Sequence, residues 1–340
     1  MVAVEFRVVA QNIQGLMREF RLIKEAIKNF DLDLTGLVVL TEAASGNYVW
    51  TPIIAALSGA KVYAFSKDSR YGRFDQVKKM TNDLANKLNI LNNLLVIDHL
   101  TPKIIGSADI ITNTGFLRPL NREKLQYCKE KVVIPLMYES WEFRDTDIEI
   151  DYCKQKGIPV YGTNESDERV KTIEYLGMVA KKALLINNIE VFSSRVAILG
   201  VGKFANAIYD SLNKETEFCE IWSSKRDIKK IDKLDALIIA DHETETSYLG
   251  QDSLITIDDL HEQNPDITII HVSGKIDKNI ILKNNLKLFP HNIAPYKWMS
   301  LTTDFVGPKP LIDLHTAGLK VVEVALYDRD GINKTLLQVI

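Results

Sequence analysis

The sequence predicts an α/β protein built from two doubly wound domains with parallel sheets, and three observations carry that prediction. Short β-branched apolar runs alternate with stretches of helical periodicity along most of the chain, the pattern of parallel strands joined by crossover helices. At 340 residues the chain is too long for one average domain and suits two. In the second half, the stretch VAILGVGKFANAIYDSL sets a glycine turn between an apolar strand and a helix.

In order, the first half reads as strands at 36–41, 61–65, 94–97, 109–112, 131–135 and 158–161, with helices at 47–58, 74–88, 121–128 and 146–155. A long helix is expected over 166–188, capped by Ser166 and carrying Asp167 and Glu168 in its first turn, where acids favour the helix dipole. The second half reads as strand 195–199, helix 203–213, and strands 218–223, 235–240, 267–272 and 285–289. A helix over 310–326 closes the chain, with Pro310 at its start.

Composition narrows the function classes. With 46% hydrophobic and 26% charged residues and a formal net charge of −3, the chain reads as a soluble globular protein with neither a nucleic-acid nor a membrane partner. The pairs Lys181-Lys182 and Lys229-Lys230 read as solvated faces. No run approaches the ~20 apolar residues of a bilayer span, and Glu5 and Arg7 interrupt any signal-peptide core, so a cytoplasmic protein is expected. Three cysteines without CxxC spacing suggest reduced thiols and no metal site.

Gly200, Gly202 and Ala205 stand in G-x-G-x-x-A spacing between strand and helix, where that motif must lie to hold a dinucleotide. Gly200 permits the tight turn, Gly202 leaves room for a pyrophosphate at the helix N-terminus beside Lys203 and Phe204, and Ala205 lets helix and strand pack closely. The next strand ends in EIWSSKRD. There Ser223, Ser224, Lys225 and Arg226 suit a 2′-phosphate and so NADP over NAD; the alternative is a pair of exposed loop charges. The expected layout is thus a flavodoxin-like substrate domain from 1–165 with 310–340, a connecting helix at 166–184, and a Rossmann-like dinucleotide domain at 185–305. A cleft between the two domains is expected to hold the substrate.

From the glycine turn onward the chain resembles the D-2-hydroxyacid dehydrogenase family, the formate and glycerate dehydrogenase group. WSSKR looks like the strand ending of its NADPH-dependent reductases, LDALIIADHETETSYLG resembles its segment below the nicotinamide, and FPHNIAP is similar to the segment bearing its catalytic histidine. KGIPVYGTNESDERV is more loosely similar to the family's hinge region. The resemblance implies that His291 is the general acid/base, that Ala240, Asp241, His242, Ser273 and Gly274 line the cofactor, and that the protein is a homodimer. The chain departs from the family pattern in two places. Gly274 or Lys275 stands where the family has a carboxylate-clamping arginine, and no glutamate lies between Lys275 and His291. GAKVYAFSKDSRYG gives a weaker similarity in layout to adenosylhomocysteine hydrolase, a family that uses tightly held NAD.

Replacement groups are sought at the ends of first-half strands. Glu42 and Glu139 are candidate partners for the histidine. Ser45, Gly46 and Asn47 offer backbone N–H groups to a substrate anion or, equally, a simple helix cap. Tyr138 sits with Trp141 and Arg144 in a loop that reads as pocket wall or interface. His315, with Asp313 or Lys320, is a further catalytic candidate on the closing helix, where Gly318 allows close packing. His99 and His261 read as turn residues, and His271 as a candidate ribose contact. The function expected is NADP-dependent hydride transfer to or from a carbonyl of a small anionic metabolite. The alternatives are an imine or opine-like reductase, and a non-catalytic NADP(H) sensor.

Overall fold

The computed structural model describes residues 16–229, 231–327 and 336–340; the expectations for Glu5, Arg7 and Lys230 fall outside them. The chain divides into two compact units, the first comprising 1–170 with 308–340 and the second 171–307.

In the first unit, parallel strands β1 (Val38–Glu42), β2 (Lys61–Phe65), β3 (Leu94–Ile97) and β4 (Ile110–Ile111) lie in the order β3-β2-β1-β4. A parallel bridge between Ile110 and Val133 continues the sheet into β5 (Ile134–Pro135) and β6 (Val160–Thr163), and Leu337–Val339 adds antiparallel to β6. Residues Val39–Glu42 are all buried, as expected for a central strand covered on both faces. The described order 3-2-1-4-5-6 is one of the two common doubly wound arrangements but not the flavodoxin order, 2-1-3-4-5, expected for this unit. Two strands, β2 and β3, follow β1 before the chain crosses to its far side, where the flavodoxin order has one. The helices Trp50–Leu57 and Phe74–Lys87 and two helices from outside the strand series contribute to one core with this sheet. Phe20, Ile23 and Ala26 of the helix Met17–Phe30, which the sequence does not announce, share a core with Ile312, Leu319 and Val322 of the helix Pro308–Tyr327. Gly318 lies against Met137, the Sδ standing 2.8 Å from where a Cβ would be.

The second unit carries β7 (Arg195–Leu199), β8 (Phe218–Trp222), β9 (Ala236–Ala240), β12 (Thr268–Ser273) and β14 (Lys287–Phe289), all parallel, in the order β14-β12-β9-β7-β8. Counted within this unit, that is the 2-1-3-4-5 arrangement, with its switch point between β7 and β9. Three short strands, β10 (Ser247–Gly250), β11 (Ile255–Thr256) and β13 (Lys275–Ile276), form a separate small sheet.

The expected helix over 166–188 is largely a turn followed by a shorter helix, Tyr175–Ile186. Asp167 accepts from the backbone and guanidinium of Arg169, the Val170 N–H closes onto the Asp167 carbonyl, and Lys171 takes φ +53°. These local bonds compete with helical ones, so Ser166 caps nothing. Val170 is buried with Phe30 in the first unit, whereas the Tyr175–Ile186 helix packs through Gly177 against Ser211 of the helix Gly202–Leu212 in the second. The segment 166–184 is therefore not a connecting helix. The closing helix starts at Pro308, two residues earlier than expected. Among the described residues no helix is long and apolar enough to cross a membrane.

Candidate functional site

In doubly wound sheets ligands bind outside the carboxyl ends of the strands at the switch point. In the second unit that point is built by Gly200–Ala205 after β7 and Ala240–Thr246 after β9. A side chain at Gly200 would collide with the Ala240 carbonyl, so glycine is required for the two strand ends to meet. Gly202 has φ +70°, a left-handed conformation that favours glycine, and opens the helix Gly202–Leu212. Phe204 and Ala205 are buried beneath this turn, and Lys203 is exposed. The space left by the missing side chain of Gly202 is filled by the carboxylate of Glu243, which accepts the Lys203 N–H at 3.1 Å. The residues present thus form a cradle that holds an anion.

Asp241 fixes the shape of the β9 turn. It is buried, and its carboxylate accepts from the N–H groups of Glu243 (2.8 Å) and Thr244 (2.9 Å), from the Thr244 hydroxyl, and from Tyr248 Oη at 2.5 Å. Burial and this bond push the Tyr248 phenol well above its ordinary range. His242 stacks on Phe204 with ring centroids 5.1 Å apart, and its Nδ1 lies 3.0 Å from Ser273 Oγ.

At the end of β8 the four donors of Ser223 and Ser224 converge on Oδ2 of Asp227: two N–H groups at 2.9 and 2.8 Å and two hydroxyls at 3.1 and 2.9 Å. The backbone donors hold this carboxyl below the usual carboxylate range. The turn after β8 thus folds back to bring an acid, Asp227, onto the two serines. Lys225 and Arg226 are exposed. A cavity of about 310 Å³ lies beside this turn, lined by Tyr209, Glu220, Arg226 and Asp227. A larger one, about 600 Å³, opens at the opposite edge of the sheet, by Arg195, Phe218 and Gln263 at the strands' amino ends. Neither cavity is lined by the glycine turn or by the turn after β9.

His291 is exposed, just beyond β14. Its loop is braced by His271: the Ala294 N–H donates to Ser300 Oγ (2.7 Å), Ser300 Oγ lies 2.7 Å from His271 Nδ1, and His271 Nε2 lies 3.0 Å from the Gly274 carbonyl. Burial lowers the pKa of His271, and Nε2, facing a carbonyl that can only accept, carries a proton. His271 is thus a bracket for the histidine loop and not a free ribose contact. Tyr296 ties the same loop to the Thr244 carbonyl at 2.7 Å. Gly274 has φ +132°, and Lys275 is exposed.

The switch point of the first unit, between β1 and β4, gathers buried polar groups. Glu42 is buried and accepts the Phe116 N–H at 2.8 Å; burial raises its pKa against that bond and the nearby Arg118. Arg118 donates to the Asn113 side chain (3.0 Å) and carbonyl (2.7 Å). Asp147 Oδ2 accepts from Tyr138 Oη and Arg144 Nε, both at 3.0 Å, with Arg118 Nε at 3.4 Å. Asn113, Arg118 and Asp147 escape sequence reasoning, although Arg118 follows a strand end where a search for cations would have met it. Glu139 is also buried, with Oε1 accepting the Glu165 N–H and Oε2 the Trp141 indole, and so closes a turn. Ser45 gives its hydroxyl to the Tyr71 carbonyl at 2.9 Å, and Gly46 and Asn47 lead a short 3₁₀ turn. His315 is buried with Nδ1 2.6 Å from Thr51 Oγ1, its pKa lowered to about 4, mainly by desolvation and further by Arg118. Asp313 pairs with Lys309, and Lys320 is buried against Glu323, so neither is an open site residue. His99 contacts Asp98 on the surface, and His261 lies on the helix Ile257–Gln263 rather than in a turn. The cysteines are all free, with Cys128 raised to about 11 and Cys153 and Cys219 to about 12 by burial.

No protein-family model matches the chain, and no curated protein does. Among solved structures it is similar to a dipicolinate synthase chain from Bacillus halodurans, with TM-score 0.54 and 13% identity, covering 88% of this chain and 100% of that one. The corresponding dipicolinate synthase chain from Bacillus subtilis gives the same values. An NAD-dependent formate dehydrogenase from Staphylococcus aureus, solved with NAD, is more distant, with TM-score 0.46 and 12% identity over 89% of this chain and 99% of that one. The chain has the α/β fold with Rossmann-type parallel sheets that the dehydrogenase resemblance implies.

Proposed function

We propose that the protein is an oxidoreductase that binds a nicotinamide dinucleotide on residues 171–307, NADP(H) in preference to NAD(H), and interconverts a carbonyl and a hydroxyl group on a small anionic metabolite. The observation that carries this reading is the glycine turn between β7 and its helix, whose Gly202 cradle and Lys203 N–H hold an anion. When bound, the dinucleotide supplies or accepts the hydride. Lys225 and Arg226 stand exposed on the turn after β8, where a 2′-phosphate would be met. His291 is assigned the proton transfer, since an imidazole ionises near neutral pH and this one sits on a braced loop at a strand end. In the first unit, the guanidiniums of Arg118 and Arg144 meet at Asp147, and Arg118 also lies near Glu42; this pair of cations supports the reading of an anionic substrate.

A second reading, a dinucleotide-binding sensor without turnover, is favoured by Lys275, a point charge where the resemblance calls for a forked guanidinium. Titrating NADPH and NADH by fluorescence, then offering 2-oxo acids, aldehydes and imines, separates the readings. The oxidoreductase binds NADPH more tightly than NADH and oxidises it, and His291→Ala lowers turnover by roughly 100-fold or more while NADPH affinity is kept. Binding without oxidation leaves the sensor, and no binding of either dinucleotide ends both.

A further inference from the structure

We infer that Glu243 and Asp227 are internal anions that occupy the two phosphate positions of the dinucleotide site, so that binding requires the chain to withdraw its own carboxylates. The inference rests on the cofactor reading above and deepens it.

Two separate turns carry the same arrangement. At the first, the Glu243 carboxylate fills the space that Gly202 leaves and takes the Lys203 N–H, the same space and donor that a pyrophosphate needs at a helix N-terminus. Forty residues separate the two in sequence, so this is not a local cap but a side chain delivered from the neighbouring strand end. The backbone of Glu243 is held by Asp241, whose carboxylate takes the N–H of Glu243 and of Thr244. The Glu243 side chain itself is exposed and can swing clear without disturbing that turn. At the second turn, the Asp227 carboxylate collects the N–H and hydroxyl donors of both serines, a four-donor grip of the kind a 2′-phosphate would use, with Arg226 beside it. A phosphate and a carboxylate cannot share either set of donors, and their like charges repel.

The consequence is quantitative. A site that is open only a fraction of the time binds with an apparent affinity reduced by that fraction, so a carboxylate docked roughly nine-tenths of the time weakens binding about tenfold. Glu243 faces the pyrophosphate, common to both cofactors, and taxes them equally. Asp227 faces the group that distinguishes them: it opposes the 2′-phosphate of NADP(H), and once free of the serines it offers an acceptor to the 2′-hydroxyl of NAD(H).

The experiment is a fluorescence titration of NADPH and NADH into the full-length wild type and the Glu243→Gln, Glu243→Ala and Asp227→Asn variants, each checked for an unchanged melting temperature. Both Glu243 variants are expected to bind both dinucleotides about 5–20-fold more tightly. Asp227→Asn is expected to raise the preference for NADPH over NADH at least several-fold. Unchanged or weaker binding in both Glu243 variants, or an unchanged NADPH/NADH ratio in Asp227→Asn, overturns the inference while leaving the cofactor reading in place. No binding by any of the four proteins overturns both together.

Discussion

Two histidines on opposite units show how differently the same side chain is used. His291 is exposed at a strand end, whereas His315 is buried with its ring bonded to Thr51 and its pKa lowered to about 4. A histidine at about 4 in the folded chain and near 6.5 when unfolded favours folding fully above 6.5. That contribution, about 3 kcal/mol, is lost as the pH falls from 6.5 toward 4. Glu42 works with the opposite sign, because its raised pKa favours folding at acid pH and loses that contribution as the pH climbs above 4.5 through the folded value. Following the ring protons of His315 by NMR should give a midpoint near 4; a midpoint near 6.5 would refute the burial account. At this scale the sequence announces the two turns but not the atoms that fill them. GVGKFA and SSKR stood out as turns with anion-binding chemistry, because glycine spacing and paired cations are one-dimensional signals. The acids that occupy them were not, since Glu243 reaches Lys203 from another strand and Asp227 reaches Ser223 by a fold in the chain.

Among the elements, the helix Pro308–Tyr327 carries the most buried charge. Lys320 Nζ lies 2.9 Å from both oxygens of Glu323 and 2.5 Å from the Asp31 carbonyl, and Glu323 also accepts the Asp33 N–H at 3.0 Å. The pair pins residues 31–33 to the middle of the helix, with every strong polar atom answered. Lys320→Met removes one charge and strands the other, and urea denaturation should show a loss of about 3–5 kcal/mol in the first unit. Replacing both residues by apolar ones should cost less than the single change; if it costs as much or more, the uncompensated charge is not the cause. Strands 61–65, 94–97 and 195–199 match their sequence bounds because each reads as a short, largely apolar run between turns. The strands Ser247–Gly250, Ile255–Thr256 and Lys275–Ile276 lack an apolar β-branched run to announce them, and the small sheet they form went unseen. The segment after Ser166 shows a different failure, in which helical periodicity was real but Asp167 spent itself on Arg169.

At the scale of the molecule, the α/β class and its division into two units were legible from alternation and length, while the strand orders were not, because order depends on which way each crossover turns. Each unit has a hydrophobic core of its own, one around Ile23, Val39 and Leu319 and one around Val196, Ile238 and Ile270. A ligand of residues 171–307 should therefore stabilise that unit selectively, by RT ln(1 + [L]/Kd). In differential scanning calorimetry, NADPH at 100 times its Kd should add about 2.7 kcal/mol to the transition of the second unit and leave that of the first in place. Equal shifts in both transitions would contradict independent unfolding. The first unit is completed by its last segment, since the helix Pro308–Tyr327 is buried along most of its length and Leu337–Val339 pairs with β6. The ribosome delivers 171–307 first. At about 5–20 residues per second, the nascent first unit waits roughly ten to thirty seconds with the apolar surface around Phe20 and Ile54 lacking its last wall. The second unit, whose sequence is continuous, can mature during that interval. Chaperone demand during synthesis should accordingly fall on the first 170 residues, and a chain truncated before Pro308 should expose that surface permanently.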